Sequence, residues 1–183
     1  FDNAQKAVAR AARLEAGGKA SDATVTHASE VHAAVKAIPI DSAAYETVAD
    51  AEALRRWIAA IYDEGVVALD VETTGLDPQA CDLVGISLAT APGRAAYVPL
   101  AHTDGAGDLL GGGRAEGQMP MAEALDLLRP VLADPSILVV FHNGKFDYCV
   151  LARYGLAVAA FDDTILLSYA LDGPRFNTMS ELA

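Results

Sequence analysis

One apolar run, residues 66–71, ends in two carboxylates and a turn, and this combination limits the folds open to the chain. The run is apolar on both faces, which predicts a β-strand that is covered on both sides. Asp70 and Glu72 are two residues apart, so both side chains leave the same face of that strand. Unpaired charges beside an apolar core cost free energy, so two carboxylates at the end of this strand are not expected to stabilise the fold. The pair alone is weak evidence for a site, because composition gives roughly three such pairs in this chain.

A third acid follows a second apolar strand. Asn143 follows the run at residues 137–141 after one intervening residue, and Asp147 is predicted one helical turn later on the same helix face. Asn143 also suits the N-cap of that helix, and an acid such as Asp147 is favoured in its first turns. Three acids that converge from separate elements repel one another unless a cation lies between them. The pattern therefore predicts a Mg²⁺ site for phosphate chemistry.

The order of predicted elements indicates the fold class. A helix capped by Asp50 runs to about residue 63 and is followed by three strand-like runs joined by short turns. Helices and strands then alternate, although the last strand is only weakly indicated. The runs are strands at 66–71, 83–89 and 94–100, a loop at 103–119, a helix at 120–132, a strand at 137–141, a helix at 143–154, an extended piece reaching 161 and a helix at 163–171. This order predicts an α/β fold, a ribonuclease-H-like mixed β-sheet in which a three-strand antiparallel meander precedes βα units, flanked by helices.

Charge and cysteine content exclude several classes of protein. The net charge is −12, from 13 basic and 25 acidic residues, which argues against a free-standing, tight DNA binder. Cys81 and Cys149 show no CxxC spacing, so a disulfide framework or a structural zinc is not expected and a reducing cytosol fits best. No apolar run is long enough to span a bilayer, so no membrane partner is expected. The glycine run at residues 111–113 lacks a phosphate-loop pattern.

Two motifs carry a resemblance to a known family. Residues 70–76 and 143–147 resemble the Exo I and Exo II motifs of the 3′–5′ proofreading exonuclease domain of bacterial DNA polymerase I, the Klenow-type family A enzymes. Further support comes from three stretches, residues 96–102, 127–132 and 161–169. The resemblance implies an exonuclease domain over residues 43–183. Residues 1–42 would then be an interdomain linker, partly helical or disordered.

The resemblance also implies a set of site residues. Three acids would be catalytic and would hold two Mg²⁺ ions in the intact domain, with Mn²⁺ or Zn²⁺ able to substitute: Asp70, Glu72 and Asp147. Three other residues would contact the terminal nucleotide: Thr73, Leu76 and Asn143. Asp163 matches a family aspartate, but no catalytic role is assigned to it.

The implied substrate is a single-stranded or frayed DNA 3′ end, and the product is a nucleoside 5′-monophosphate. The implied partners are polymerase and 5′-nuclease domains in the same polypeptide, in a monomer in the bacterial cytoplasm. The family's third motif, Tyr-x-x-x-Asp, would lie beyond Ala183, and both ends of the sequence resemble cuts in a longer polypeptide. We therefore expect weak or no activity from residues 1–183.

Two alternatives stay open on the sequence. A ribonuclease D type RNA exonuclease shares the carboxylates, but residues 96–102 and 161–164 disfavour it. A catalytically silent scaffold domain of a polymerase fits the missing third motif. His102 and His142 are isolated and are expected to be strand-end or core residues.

Overall fold

A six-stranded mixed sheet forms the centre of the computed structural model, which describes residues 41–104 and 113–172 together with positions 30, 33–34, 37–38 and 179. The chain divides into two units, residues 1–40 and 41–183. The linker predicted over residues 1–42 lies almost wholly outside the described residues, and the domain boundary stays a prediction. Across the described residues, no helix is long and apolar enough to cross a membrane.

The second unit alternates strands and helices. Its elements are a 3₁₀ turn (Ser42–Ala44), β1 (Glu46–Thr47), α1 (Ala51–Glu64), β2 (Val66–Thr73), β3 (Leu83–Ala91), β4 (Arg94–Pro99), α2 (Met121–Leu132), β5 (Leu138–Phe141), α3 (Lys145–Arg153), β6 (Phe161–Asp163) and α4 (Thr164–Asp172). The loop predicted over residues 103–119 is described only at its ends, where an antiparallel bridge joins Thr103 and Arg114.

The sheet has the strand order β1-β4-β3-β2-β5-β6. Strands β2, β3 and β4 form an antiparallel meander, whereas β2 pairs with β5, and β5 with β6, in parallel. The predicted ribonuclease-H-like mixed sheet is therefore confirmed. Strand β1 was not predicted, because two residues carry no periodicity. Its Glu46 accepts hydrogen bonds from Trp57 Nε1 at 2.8 Å and Arg56 Nη2 at 3.0 Å of α1.

Strand β2 is covered on one face only, which corrects the prediction that both faces are covered. Val67, Leu69 and Val71 are buried, in one core cluster with residues of α1 and α2. On the opposite face Ala68 is exposed and Asp70 is half-buried. That face borders a groove of about 690 Å³. Small and polar side chains line much of it, among them Ala68, Ser87, Ala89 and Ala95, which explains why the face stays open.

Helix α1 begins and ends at residues that suit its termini. The Asp50 carboxylate accepts the Ala53 amide at 2.8 Å, which confirms the predicted N-cap. At the other end Gly65 has φ 68° and donates its amide to the Ile61 carbonyl at 2.8 Å. The amphipathic helix is thereby fixed directly before β2, the strand that carries the first acid pair.

Replacing Asp50 with alanine should lower the free energy of unfolding by about 1 kcal/mol, because the Ala53 amide loses its acceptor. Urea unfolding of the two proteins measures this difference. The matched control is Asp63→Ala, which removes the same charge from an exposed position in the last turn of α1. That control should be neutral or slightly stabilising, since an acid opposes the helix dipole there. Equal losses in both variants would contradict the capping assignment.

Candidate active site

Strand β2 presents two of the predicted acids at its carboxyl end. Leu69 and Val71 alternate with them and are 3% and 6% exposed, so Asp70 and Glu72 both leave the opposite face. Asp70 is half-buried and Glu72 is exposed. The same-face placement predicted from their spacing is therefore what the strand shows.

Strand β2 loses its parallel neighbour just before these acids. Pairing with β5 covers Val66, Val67 and Ala68, the last opposite Val140, whereas pairing with β3 continues to Thr73. The backbone of β2 beyond Ala68 is consequently free on one side. In open α/β sheets, ligands bind in crevices of this kind at the carboxyl ends of strands.

Asp147 of α3 fills that gap. Its Oδ1 accepts the backbone amide of Val71 at 2.9 Å, in place of the strand partner that β5 would have supplied. The side chain is 3% exposed, although it is a carboxylate in the first turn of a helix. A residue 76 positions away in sequence thus docks directly on the strand that carries the first two acids.

The environment of Asp147 favours its protonated form. Burial raises its pKa from 3.8 to about 6; the Val71 amide opposes this rise, and the charge of Asp70 adds to it. The charge of Asp70 therefore reaches the buried Asp147 carboxyl, and the fold brings these two acids near each other at the end of β2.

The acids at this strand end suit a hard divalent cation, since neighbouring carboxylates repel one another unless a proton or a cation lies between them. Glu72 lies on the same face of β2 as Asp70 but does not complete a trio. Within residues 41–104 and 113–172, no three acidic, histidine or cysteine side chains gather into a group that could hold a metal ion. Of the three-acid site predicted from the sequence, the structure shows Asp70 and Glu72 on one face of β2 and Asp147 docked on the Val71 amide of the same strand.

The turn that precedes α3 differs from the prediction. The helix begins at Lys145 after Gly144, with no side-chain N-cap, so the predicted start at residue 143 was wrong. Asn143 is exposed and has φ 62°, a left-handed conformation that asparagine tolerates better than most residues. Asn143 is therefore not an N-cap, and its side chain is left outside the helix, at the rim of the site.

The loop after β2 is held by the far end of α3. Arg153 Nη1 donates to the carbonyls of Pro78 at 3.1 Å and Cys81 at 2.5 Å, and the Tyr154 hydroxyl accepts the Leu83 amide at 2.9 Å. At the tip of this loop Leu76 is 95% exposed. Sequence reasoning missed Arg153 and Tyr154, because neither residue belongs to a motif and the partner groups are backbone atoms.

Thr73 and the two histidines also have defined partners. Thr73 Oγ1 donates to the Gly75 carbonyl at 2.7 Å, within the turn that leads to Leu76. His102 Nε2 lies 2.6 Å from the Tyr97 hydroxyl, whose pKa is raised by burial and by the charge of Glu72. His142 Nδ1 lies 2.8 Å from Thr164 Oγ1. Both histidines are thus held by hydroxyl groups close to the site.

Comparison with known proteins gives a consistent result. A family model described as 3′–5′ exonuclease matches residues 45–183. DNA polymerase I of Rhizobium leguminosarum is 50% identical over 144 residues, 74% of this chain and 14% of that protein. DNA polymerase I of Pseudomonas aeruginosa is 36% identical over 131 residues, 70% of this chain and 14% of that protein. The chain therefore spans about one seventh of these relatives.

Solved structures show the same fold at lower identity. Escherichia coli RNase D, an exoribonuclease involved in structured RNA processing, matches with a TM-score of 0.54 and 22% identity, over 75% of this chain and 32% of that one. The catalytic core of RRP6 from Trypanosoma brucei matches with a TM-score of 0.52 and 19% identity, over 76% and 38%. At these identities the likeness concerns the fold alone.

Replacing Asp147 with asparagine should remove a pH dependence of stability, measured in the presence of EDTA. Because the folded-state pKa of Asp147 is about 6 and its ordinary value is 3.8, the folded protein binds the proton more tightly. Stability then falls as pH rises from about 4 to about 7, by an amount on the order of 3 kcal/mol. Asparagine keeps an oxygen for the Val71 amide but does not ionise. Urea unfolding across this pH range compares the two proteins.

The control for this measurement is Asp63→Asn, an exposed acid on α1. Its pH profile should follow that of the parent chain, since only Asp147 combines an acid side chain with burial among the described residues. A profile of Asp147→Asn that matches the parent would contradict the assignment of a raised pKa to this carboxyl group.

Proposed function

The chain belongs to the family of 3′–5′ exonuclease domains found in DNA polymerase I, and from that membership we propose that it trims single-stranded or frayed DNA 3′ ends. The observation that supports the proposal most directly is the buried Asp147 carboxyl, docked on the Val71 amide next to Asp70 in the strand. Both residues lie in the motifs that first suggested the family. The product would be a nucleoside 5′-monophosphate.

We propose that Asp70, Glu72 and Asp147 hold divalent cations and that the principal cation is Mg²⁺. When bound, Mg²⁺ supplies the positive charge that activates water and stabilises the phosphate and the departing 3′ oxygen. Asp70 would serve both ions, Glu72 would help to hold one of them and Asp147 would help to hold the other. Mn²⁺ and Zn²⁺ are proposed as substitutes, since carboxylate oxygens bind all three. Protonation of Asp147 near pH 6 would compete with the cation, so cation binding should weaken as pH falls through this range.

Three residues around the acids are proposed to hold the terminal nucleotide. Thr73 and Leu76 lie on the strand end and loop that follow Asp70, and Asn143 lies on the exposed turn that leads to Asp147. Leu76 offers an apolar side chain to an unstacked base, which suits a frayed end better than a paired one. With a net charge of −12, the chain is not expected to attract DNA over a distance.

We propose that polymerase and 5′-nuclease domains in the same polypeptide supply most of the DNA affinity, and that the whole protein is a monomer in the bacterial cytoplasm. The support is the identity to DNA polymerase I over about one seventh of its length. The 183 residues do not contain a Tyr-x-x-x-Asp motif after Asp163. Their own activity is therefore expected to be weak.

Replacing Asp70 with alanine should weaken Mn²⁺ binding about 100-fold or more, because loss of a direct ligand costs at least as much as loss of a ligand's hydrogen-bonded neighbour. Titration of the 183-residue chain followed by electron paramagnetic resonance measures this, with Asp63→Ala as control. In parallel, a labelled DNA oligonucleotide and its RNA counterpart are incubated with Mg²⁺. Slow DNA trimming that Asp70→Ala removes would support the proposal.

The other outcomes discriminate the alternatives. Ready trimming of RNA with a resistant DNA 3′ end would favour a ribonuclease D type activity. A parent chain that binds no Mn²⁺ and trims neither strand would favour the silent scaffold. Fast Mg²⁺-dependent DNA trimming, lost in Asp70→Ala, would contradict only the expectation that these residues are weakly active.

Replacing Leu76 with alanine should weaken binding of a short oligothymidylate by about fivefold or more, since contact between a base and an apolar side chain is lost. Fluorescence anisotropy at low salt with Mn²⁺ measures the dissociation constant. The free energy of unfolding should stay unchanged, because Leu76 is 95% exposed. The matched control is Leu166→Ala on α4, at 64% exposure, which should bind DNA as the parent does. Equal affinity of the parent and Leu76→Ala would exclude Leu76 from the nucleotide site.

A further inference from the structure

Asp163 lies at the end of β6, opposite Phe141 at the end of β5. Its carboxylate accepts three backbone amides, from Gly144 at 2.8 Å, Ile165 at 2.9 Å and Asn143 at 3.2 Å. Two of these amides belong to the turn before α3, and the third belongs to the start of α4. One carboxylate therefore joins the turn that carries Asn143 to the segment that follows β6.

The turn depends on a partner of this kind, because its own residues supply little support. Asn143 is at φ 62°, and across the described residues no other non-glycine residue has a positive φ. A Cβ on Gly144 would lie 2.5 Å from Phe141 Cβ, so this position has room for glycine only. Helix α3 also has no side-chain N-cap of its own. The Asp163 carboxylate instead holds the two residues that directly precede the helix.

A second contact fixes the same two segments. Thr164 Oγ1 donates to the Phe141 carbonyl at 3.2 Å, so its oxygen can accept from His142 Nδ1 at 2.8 Å. The residues between β5 and α3 are thus hydrogen-bonded in two pairs. Phe141 and His142 bind Thr164, and Asn143 and Gly144 bind Asp163. Asp147 lies in the first turn of α3, four residues after Asn143, so the direction of that helix determines whether its carboxyl reaches Val71.

We propose that Asp163 is a positioning residue for the exonuclease site. It holds the left-handed turn that carries Asn143, and it sets the direction of α3 so that Asp147 reaches the Val71 amide, next to Asp70 in β2. Asp163 touches neither of these acids, and it acts through the backbone of residues 143 and 144. This inference rests on the proposed function, because positioning has meaning only if Asn143 and Asp147 serve a site.

The test uses Asp163→Asn in the full 183-residue chain, with Asp162→Asn as the matched control. Asp162 is the exposed neighbour on β6, so the control removes the same charge one residue away. Asparagine places an amide group against at least one of the three donors. Amide hydrogen exchange should then rise about tenfold or more at Gly144, or at residues 143 and 165 together, depending on which side the amide group takes, while exchange in β3 stays as in the parent. Unchanged exchange at these three amides would overturn the proposal.

A second readout connects the turn to the site. Mn²⁺ affinity of Asp163→Asn should fall about 10- to 100-fold, the range found when groups that orient metal ligands are removed, while Asp162→Asn binds as the parent does. Equal affinity in the two variants would overturn this inference and leave the proposed function standing. A parent chain that binds no Mn²⁺ would overturn the proposed function, and this inference with it.

A double variant covers the case in which Asp163→Asn unfolds. Glycine adopts positive φ without strain, so Asn143→Gly should make the turn less dependent on Asp163. The loss of Mn²⁺ affinity caused by Asp163→Asn should be several-fold smaller in the Asn143→Gly background than in the parent background. A loss of the same size in both backgrounds, or a double variant that also fails to fold, would overturn the proposal that Asp163 holds this turn.

Discussion

The site depends on the point where two parallel strands separate. Strands β2 and β5 pair only as far as Ala68 and Val140, so the Val71 amide has no strand partner on that side. An unpaired buried amide is costly, and Asp147 satisfies it with a carboxyl oxygen at 2.9 Å. The hydrogen bond that satisfies the Val71 amide therefore also places Asp147 at the strand end that carries Asp70. Stability of the strand end and assembly of the site are consequences of one contact.

Helix α3 connects the parts of the site that are distant in sequence. Its first turn carries Asp147, and its last residues, Arg153 and Tyr154, hold the loop that carries Leu76 and the start of β3. The Asp163 carboxylate fixes the turn from which this helix begins. Any shift of α3 would move the acid and release the loop together. The loop that carries Leu76, which is proposed to contact the nucleotide, and the acids are therefore mechanically coupled through one short helix.

The sequence predicted the elements well because their signals are local. The N-cap Asp50, the apolar strand before Asp70 and the alternation that places Asp70 and Glu72 on one face each depend on neighbours within a few residues. The prediction that Asn143 and Asp147 share a helix face was wrong, because Asn143 has a left-handed conformation outside the helix. What the sequence missed are contacts with backbone atoms far along the chain. In the sequence, Asp163 matches an aspartate of the family but has no assigned role. Only the fold brings its carboxylate to the amides of Asn143 and Gly144. The open face of β2 was missed for a similar reason, since the bulk of facing side chains is not visible in one strand.

The acidity of the chain makes the cation central to every property of the proposed site. With a net charge of −12, and with burial raising the pKa of Asp147 to about 6, the site without a cation favours a proton on Asp147 and repels a phosphodiester. A cation that replaces the proton removes both obstacles, so ionisation, cation binding and approach of the phosphate form one linked equilibrium. The exposed Leu76 adds a contact that does not depend on charge. Such a site would select a substrate that brings both a phosphate and an unstacked base, and a frayed 3′ end offers the two together.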